Sequence, residues 1–313
     1  MDLNIIVQND SDPIAKNIVV TMIKTAYTLG YEAVALNTVI GEDALNEKNK
    51  IPEPPLFYIQ DFDFSEHQTQ KRRFKVLTRL TAIADESIQC HRLFQSAVAK
   101  KYDLLAIVPR HEKLLQHLCN NGEFDIISLP FESRMGYNVK RQQLGTAVSR
   151  GLFFEIQYAH CINDQSARQQ VIANCCSLMQ VTKGKGIVIS SGSMQPYHLR
   201  SPADAANLGF LFGLTESTAR DATYGNCKSV ILHAQTRRRE NRAIIFSKDI
   251  RQLPKDDAWL VESCKLQEDH ESVAKRTLEE TPDDKEPLSK GEKQPPKKKR
   301  KKGCSKGAAT SSA

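Results

Sequence analysis

The residues of this 313-residue chain best suited to chemistry are arginines and lysines set beside apolar runs. Arg110 follows the run Asp103 to Pro109, and Arg134, Lys140 and Arg141 flank Tyr137. Lys183 and Lys185 precede the run Ile187 to Ser190, Arg200 follows it, and Arg237, Arg238, Arg239 and Arg242 come after the last apolar run. Guanidinium groups fork onto phosphate oxygens, and a neighbouring aromatic ring can stack on an unpaired base. The candidate RNA-contacting set is Arg110, Arg134, Lys140, Arg141, Lys183, Arg200, Arg237 and Arg238. Taken singly, most of these cations also suit an ordinary solvated surface. Arg200 stands apart as one charge among apolar neighbours just before Ser201 and Pro202.

Groups that could break a bond are harder to find. A metal-dependent phosphoesterase built on a barrel needs three or more His, Asp or Glu ligands at strand ends, typically beginning with a histidine pair after the first strand. The first strand here offers Asp2, Leu3 and Asn4, and the eight histidines are scattered singly, with His111, His160, His198 and His233 those near strand ends. No catalytic residue and no metal ligand is assigned on this basis, although a constellation assembled in space stays open as a rival. Ser190-Ser191-Gly192-Ser193 is neither G-x-S-x-G nor a P-loop and reads as a tight polar turn after a strand. Gly184-Lys185-Gly186 reads as a helix stop. The eight cysteines form no C-x-x-C pair and are expected to be buried thiols.

These positions must be held by the elements around them, and the dominant pattern is alternation of short apolar runs with longer helical stretches, the mark of βα units. Expected strands are Asp2 to Val7, Tyr31 to Ile40, Phe74 to Ile83, Asp103 to Pro109, Asp125 to Leu129, Leu152 to Ile156, Ile187 to Ser190 and Ser229 to His233. A helix capped by Ser11 or Asp12, with Pro13 in its first turn, should bury Ile14, Ile18, Met22 and Ala26 and stop before Gly30. Further helices are expected around Leu93, Phe94, Ala97 and Val98, at Glu112 to Asn120, 138 to 149, 164 to 182, Pro202 to Gly213 and Thr215 to Ala222. Eight strands that are apolar on both faces suit parallel pairing, and eight such strands favour a TIM-like α/β barrel over an open doubly wound sheet.

The domain reading is a barrel over 1–250 with 41–73 partly a loop insertion, a linker over 251–264 and a tail over 265–313. The tail is rich in Glu, Lys, Pro, Ser and Gly, a composition expected to stay disordered. It holds 13 Lys and Arg against 9 Asp and Glu, so +4 of the net +7 lies there and +3 on the body. A uniformly basic nucleic-acid binder is therefore excluded, and any RNA surface on the body must be local. Pro295-Pro296 followed by Lys297, Lys298, Lys299, Arg300, Lys301 and Lys302 suits an acidic groove on an import receptor, with a solvated charge run as the alternative. No apolar run approaches the roughly 20 residues needed to span a bilayer, so no membrane partner is expected. Met1 to Asn9 lack the features of a secretory or mitochondrial signal, which points to the cytosol or nucleus.

Several stretches carry a family likeness. They include Asp2-Leu3-Asn4, Tyr102-Asp103-Leu104-Leu105-Ala106-Ile107-Val108-Pro109, Glu112-Lys113-Leu114, Phe124-Asp125-Ile126-Ile127 and Arg150-Gly151-Leu152-Phe153-Phe154-Glu155-Ile156. Leu178-Met179-Gln180, Lys183-Gly184-Lys185, Ile189-Ser190-Ser191 and, most tellingly, Leu199-Arg200-Ser201-Pro202 with Asp204 continue the series. Ala206 to Leu214, Asn226-Cys227-Lys228 and Thr236-Arg237-Arg238 complete it. With these residues the chain resembles the barrel-forming thirty-kilodalton protein subunit of ribonuclease P and ribonuclease MRP of eukaryotes and archaea, over roughly residues 1 to 250. The resemblance implies a TIM-like barrel related to metal-dependent phosphoesterase barrels but without their metal ligands. It further implies a non-catalytic subunit with no cofactor of its own, the 5′ maturation of precursor tRNA being carried out by the RNA component with bound magnesium. Implied partners are the ribonuclease P and MRP RNAs, precursor tRNA indirectly, a small α/β protein subunit and other subunits. The MRP complex would add a role in rRNA processing, with residence in the nucleus and nucleolus. The rival readings are a barrel phosphoesterase and a barrel that binds only proteins.

Overall fold

The structure is a computed structural model that describes residues 1–8, 13–45, 51–55, 74–136 and 139–238. Seven strands alternate with helices: β1 (Asp2–Ile6), β2 (Ala33–Ile40), β3 (Lys75–Ala84), β4 (Leu104–Pro109), β5 (Ile126–Ser128), β6 (Phe153–Gln157) and β7 (Ile187–Ser190). Every neighbouring pair is parallel, in the order β1-β2-β3-β4-β5-β6-β7. The ring closes between its ends through a parallel bridge from Ile5 to Ser193, where the Ile6 amide donates to the Ser193 carbonyl at 2.8 Å and the Gly192 amide to the Asn4 carbonyl at 2.9 Å. The fold is thus a TIM-like barrel of seven strands.

Helices α1 (Pro13–Thr28), α2 (Ser87–Gln95), α3 (Glu112–Asn121), α4 (Arg141–Ser149), α5 (Ala159–Asn163), α6 (Gln165–Thr182), α7 (Pro202–Leu211), α8 (Glu216–Thr223) and α9 (Gly225–Arg238) follow the strands. Outward strand residues such as Leu80, Ile107, Ile127, Phe154 and Ile189 pack on Leu93, Leu115, Leu118, Leu144 and Leu178 of the surrounding helices. Burying such side chains removes apolar area from water at about 25 cal/mol per Å², the main force holding the helices on the barrel. A smaller cluster lies under α1, where Val19, Met22, Ile23 and Ala26 meet Ile5, Val34, Leu36 and Leu199.

Three expectations need correction. The run Ser229 to His233 is no strand but the middle of α9. Cys227, Val230, Ile231 and Ala234 are its buried residues, a spacing of three, four and seven that belongs to a helix face. The stripe of α1 is rotated from the expected one, since Ile14 is largely exposed and Val19 and Ile23 are buried instead. The helix expected to include Ala97 and Val98 ends at Gln95. The proposed Ser11 or Asp12 cap, Tyr137, Arg239, Arg242, the linker and the basic tail lie outside the described residues.

Helix α9 runs across the amino-end rim of the barrel. At one end the Asn226 side chain donates to the Ile187 carbonyl of β7 at 2.7 Å, and at the other Arg237 and Arg238 reach residues just ahead of β5 and β4. Between them His233 lies against Gly151, whose φ of +83° and lack of a side chain allow it, because a Cβ there would sit 2.9 Å from the imidazole. All six described cysteines are free, four of them buried; burial pushes the Cys227 thiol up to about 12. Among the described residues no helix is long and apolar enough to cross a membrane.

Candidate nucleic-acid interface

Strand alternation sends Arg79 of β3 and Glu155 of β6 into the barrel lumen, where both are fully buried. They meet as a two-pronged ion pair, Nη1 to Oε1 at 2.5 Å and Nη2 to Oε2 at 2.6 Å. The Arg79 Nε donates to Thr81 at 3.0 Å, and Nη1 also donates to the Leu3 carbonyl at 2.9 Å. Glu155 Oε1 accepts further bonds from Ser190 at 2.6 Å and Asn4 at 3.1 Å. Asn37 links the two sides, donating to Asn4 at 2.7 Å and accepting from Thr81 at 2.7 Å. Burial pushes the Glu155 carboxyl up, but the adjacent Arg79 guanidinium and the bonds from Arg79 and Ser190 outweigh it and hold the group below the ordinary carboxylate range.

Asp2 closes the β1–β7 seam. Its Oδ1 accepts the Ser191 amide at 3.0 Å and the Asn4 amide at 3.1 Å, while burial pushes the carboxyl above the ordinary range. After β7 the chain turns at Gly192, φ +61°, where any Cβ would strike Gln157 Oε1 at 2.6 Å. The Ser190 to Ser193 stretch is therefore the polar βα turn expected, and Lys183, φ 55°, followed by Gly184, φ 75°, ends α6 as expected. Arg79, Glu155, Asn4, Asn37, Thr81 and Ser190 are bonded to one another, whereas Asp2 Oδ2 is buried without a partner among the described residues. Among the described residues no three His, Cys, Asp or Glu stand close enough to hold a metal ion.

The structure divides the candidate RNA-contacting residues between the two ends of the barrel. Loops that follow strands hold Arg110, Arg134 and Arg200 at the carboxyl end, with Lys140 and Arg141 leading into α4 there. Arg110 pairs with Glu42 at 2.7 Å and Lys140 with Glu112 at 3.0 Å, the two cations themselves being exposed. Arg134 and Arg141 are exposed and make no ion pair among the described residues. The first turn of α4 has no acidic residue, so two cations stand at the positive end of its dipole, an arrangement that favours an arriving anion.

Lys183, Arg237 and Arg238 lie instead at the amino end. Lys183 is an exposed helix terminus, but Arg237 is directed inward, its Nη2 donating to Asp125 Oδ2 at 3.0 Å with its side chain only 10% exposed. Asp125 also meets His233 at 2.9 Å and accepts the Leu105 amide at 2.9 Å. Arg238 pairs with Asp103. Sequence reasoning missed the lumen network. Its signal was present in single charges inside otherwise apolar strands, Arg79 in KVLTRLTAIA and Glu155 in FFEIQ.

A closed parallel barrel with a self-bonded lumen and cations around its carboxyl-end loops defines a scaffold that presents charge. The family model described as "RNase P subunit p30" matches residues 1–239, and the chain belongs to that family. It is 34% identical over 241 residues to the mouse ribonuclease P protein subunit p30, covering 76% of this chain and 89% of that protein. A probable ribonuclease P protein subunit 3 from Schizosaccharomyces pombe is 35% identical over 226 residues, 72% of this chain and 90% of its own length. The ribonuclease P/MRP protein subunit RPP1 of Saccharomyces cerevisiae is 27% identical over 242 residues, 74% of this chain and 78% of that protein. A chain in a cryo-EM structure of archaeal ribonuclease P with mature tRNA shares the fold, with a TM-score of 0.55 at 14% identity over 81% of this chain and 99% of that one.

Proposed function

We propose that the protein is a non-catalytic subunit of ribonuclease P and of ribonuclease MRP, holding the RNA component in its active shape. The RNA component, with the magnesium it binds, would then carry out 5′ cleavage of precursor tRNA, and the MRP complex would act on pre-rRNA. The observation that carries this reading is the Arg79–Glu155 fork: the charged side chains that the strands send into the lumen are bonded to each other, not presented at the carboxyl-end rim where a barrel enzyme keeps its reactive groups. Both charges are matched and further bonded, so neither is poised to activate water. The RNA contacts of the body are assigned to Arg110, Arg134, Lys140, Arg141 and Arg200 at the carboxyl end, with Lys183 as an outlying contact. Protein partners, a small α/β subunit among them, are assigned to the outer helices, where Phe210 and Leu211 are exposed at the end of α7.

Purified full-length chain is expected to leave precursor tRNA uncut, and cleavage is expected only once the RNA component is added. Cutting by the chain alone would establish the barrel phosphoesterase instead. The basic cluster from Lys297 to Lys302 is assigned to nuclear and nucleolar residence. Deleting 295–302 is expected to move a fluorescent fusion into the cytoplasm, and an unchanged distribution would remove the cluster's role in import.

A further inference from the structure

The loop after β7 contains a feature that the set of cations above does not use. Tyr197 is 70% exposed, the most exposed large apolar side chain among the described residues, and Met194 beside it is 45% exposed. An exposed tyrosine on a mobile loop would mean little. Here the backbone beneath it is held from several directions. Pro196 opens a tight 3-10 turn, Pro196–His198, and locks its own φ. Ser193 Oγ donates to the Gln195 carbonyl at 2.7 Å and accepts the Gln195 amide at 3.1 Å. His198 is buried and meets the Tyr197 ring edge-on at 4.2 Å between centroids.

Arg200 completes the arrangement. Its amide donates to the Tyr158 hydroxyl at 3.1 Å, and its carbonyl accepts the Tyr31 hydroxyl at 2.8 Å. Its Nη1 donates to the carbonyls of Tyr197 at 2.9 Å and Leu199 at 3.0 Å, which ties the guanidinium to the turn that carries the ring. The Nε and Nη2 edge has no acceptor among the described residues, and no carboxylate there neutralises the charge. Arg110, Lys140, Arg237 and Arg238 all have such a carboxylate. A rigidly mounted, solvent-facing ring next to a fixed guanidinium edge with unused donors matches one nucleotide: a π-face for the base and a two-pronged fork for a phosphate.

We propose that Tyr197 stacks on an unpaired base of RNA while the Nε and Nη2 edge of Arg200 grips a phosphate of the same strand. The proposal rests on the reading that this end of the barrel binds RNA, and it names the form of RNA: single-stranded rather than paired. Base stacking is tolerant of sequence, so a loop or bulge of any composition qualifies.

The test uses the full chain and two labelled probes with equal numbers of phosphates, an RNA hairpin with a single-stranded loop and a fully paired RNA duplex. Tyr197→Ala should weaken hairpin binding by about tenfold to a hundredfold and leave duplex affinity and the salt slope unchanged. Tyr197→Phe and Tyr197→Trp should bind the hairpin like wild type. Arg200→Ala should weaken both probes and lower the salt slope by about one. Wild-type hairpin affinity in Tyr197→Ala, or an equal loss on both probes, overturns the stacking role. So does a loss of co-purifying protein subunits with hairpin affinity intact, which would make the ring a protein contact. If wild type binds neither probe, the RNA-binding reading itself falls, an outcome distinct from a Tyr197 variant that merely matches wild type.

Discussion

The two ends of this barrel carry arginines of similar sequence context and use them in opposite ways. At the amino end, Arg237 and Arg238 are matched by Asp125 and Asp103 and serve to strap α9 across the rim. At the carboxyl end Arg110 pairs with the part-exposed Glu42, and Arg134, Arg141 and Arg200 have no carboxylate partner among the described residues. A cation near a strand end is therefore not a recognition residue by position alone. What sets Arg237 apart is the buried carboxylate that the fold brings to it, Asp125, which is 112 residues away in sequence.

The sharpest break acts on the lumen that joins the two ends. Glu155→Ala leaves Arg79 as an unpaired buried charge and is expected to cost about 3–5 kcal/mol in urea unfolding, whereas Arg79→Met with Glu155→Met should recover most of that loss. A single variant as stable as wild type would mean the fork contributes nothing. The same pair sets a pH dependence. Because the folded Glu155 carboxyl is held below its ordinary value, its stabilisation is complete above an unfolded value of about 4.3 and is lost as pH falls through the lower folded value. The Met–Met variant should lack that acid-side loss in melts at stepped pH.

Cutting the amino-end strap comes next. Asp125→Ala strands Arg237 and the Leu105 amide and is expected to cost about 1–3 kcal/mol, with RNA affinity and salt slope unchanged. A fall in the salt slope would show that the amino end also meets phosphate. The smallest effect on stability belongs to the carboxyl end, where Arg110, Arg134 and Arg200 changed together to Ala should shift unfolding by no more than about 0.5 kcal/mol each. That triple variant should nevertheless lower the slope of log affinity against log salt by roughly two to three, one per phosphate contact. An unchanged slope would show that the carboxyl-end cations meet no phosphate, leaving the two ends alike.

Much of the fold was legible in the order of residues. Five of the seven strands fall within the expected apolar runs, and β3 and β6 overrun theirs by one residue each, at Ala84 and Gln157, since strands buried on both faces read as continuous apolar segments. The eighth assignment failed at Ser229 to His233 because a five-residue apolar run has no period of its own, and the helical spacing appears only once Cys227 and Ala234 are counted with it. The site was legible only in part. Residue type put Arg110, Arg134, Lys140, Arg200 and Arg237 in one candidate set, and nothing local set apart Arg237, whose partner comes from tertiary structure. The lumen network was hidden for the same reason, its members Asn4, Asn37, Arg79 and Glu155 lying on four different strands. Tyr197 was invisible because exposure cannot be read from a single aromatic in a loop.

The strap across the amino rim also bears on how the molecule is made. The counter-charge for Asp125 resides on one of the last turns of the barrel to be synthesised, so a growing chain that has not yet released Arg237 from the ribosome must either leave Asp125 solvated or bury it at a penalty. The ring itself can close at the β1–β7 seam beforehand, but the clasp over its amino rim forms only after translation has passed this point.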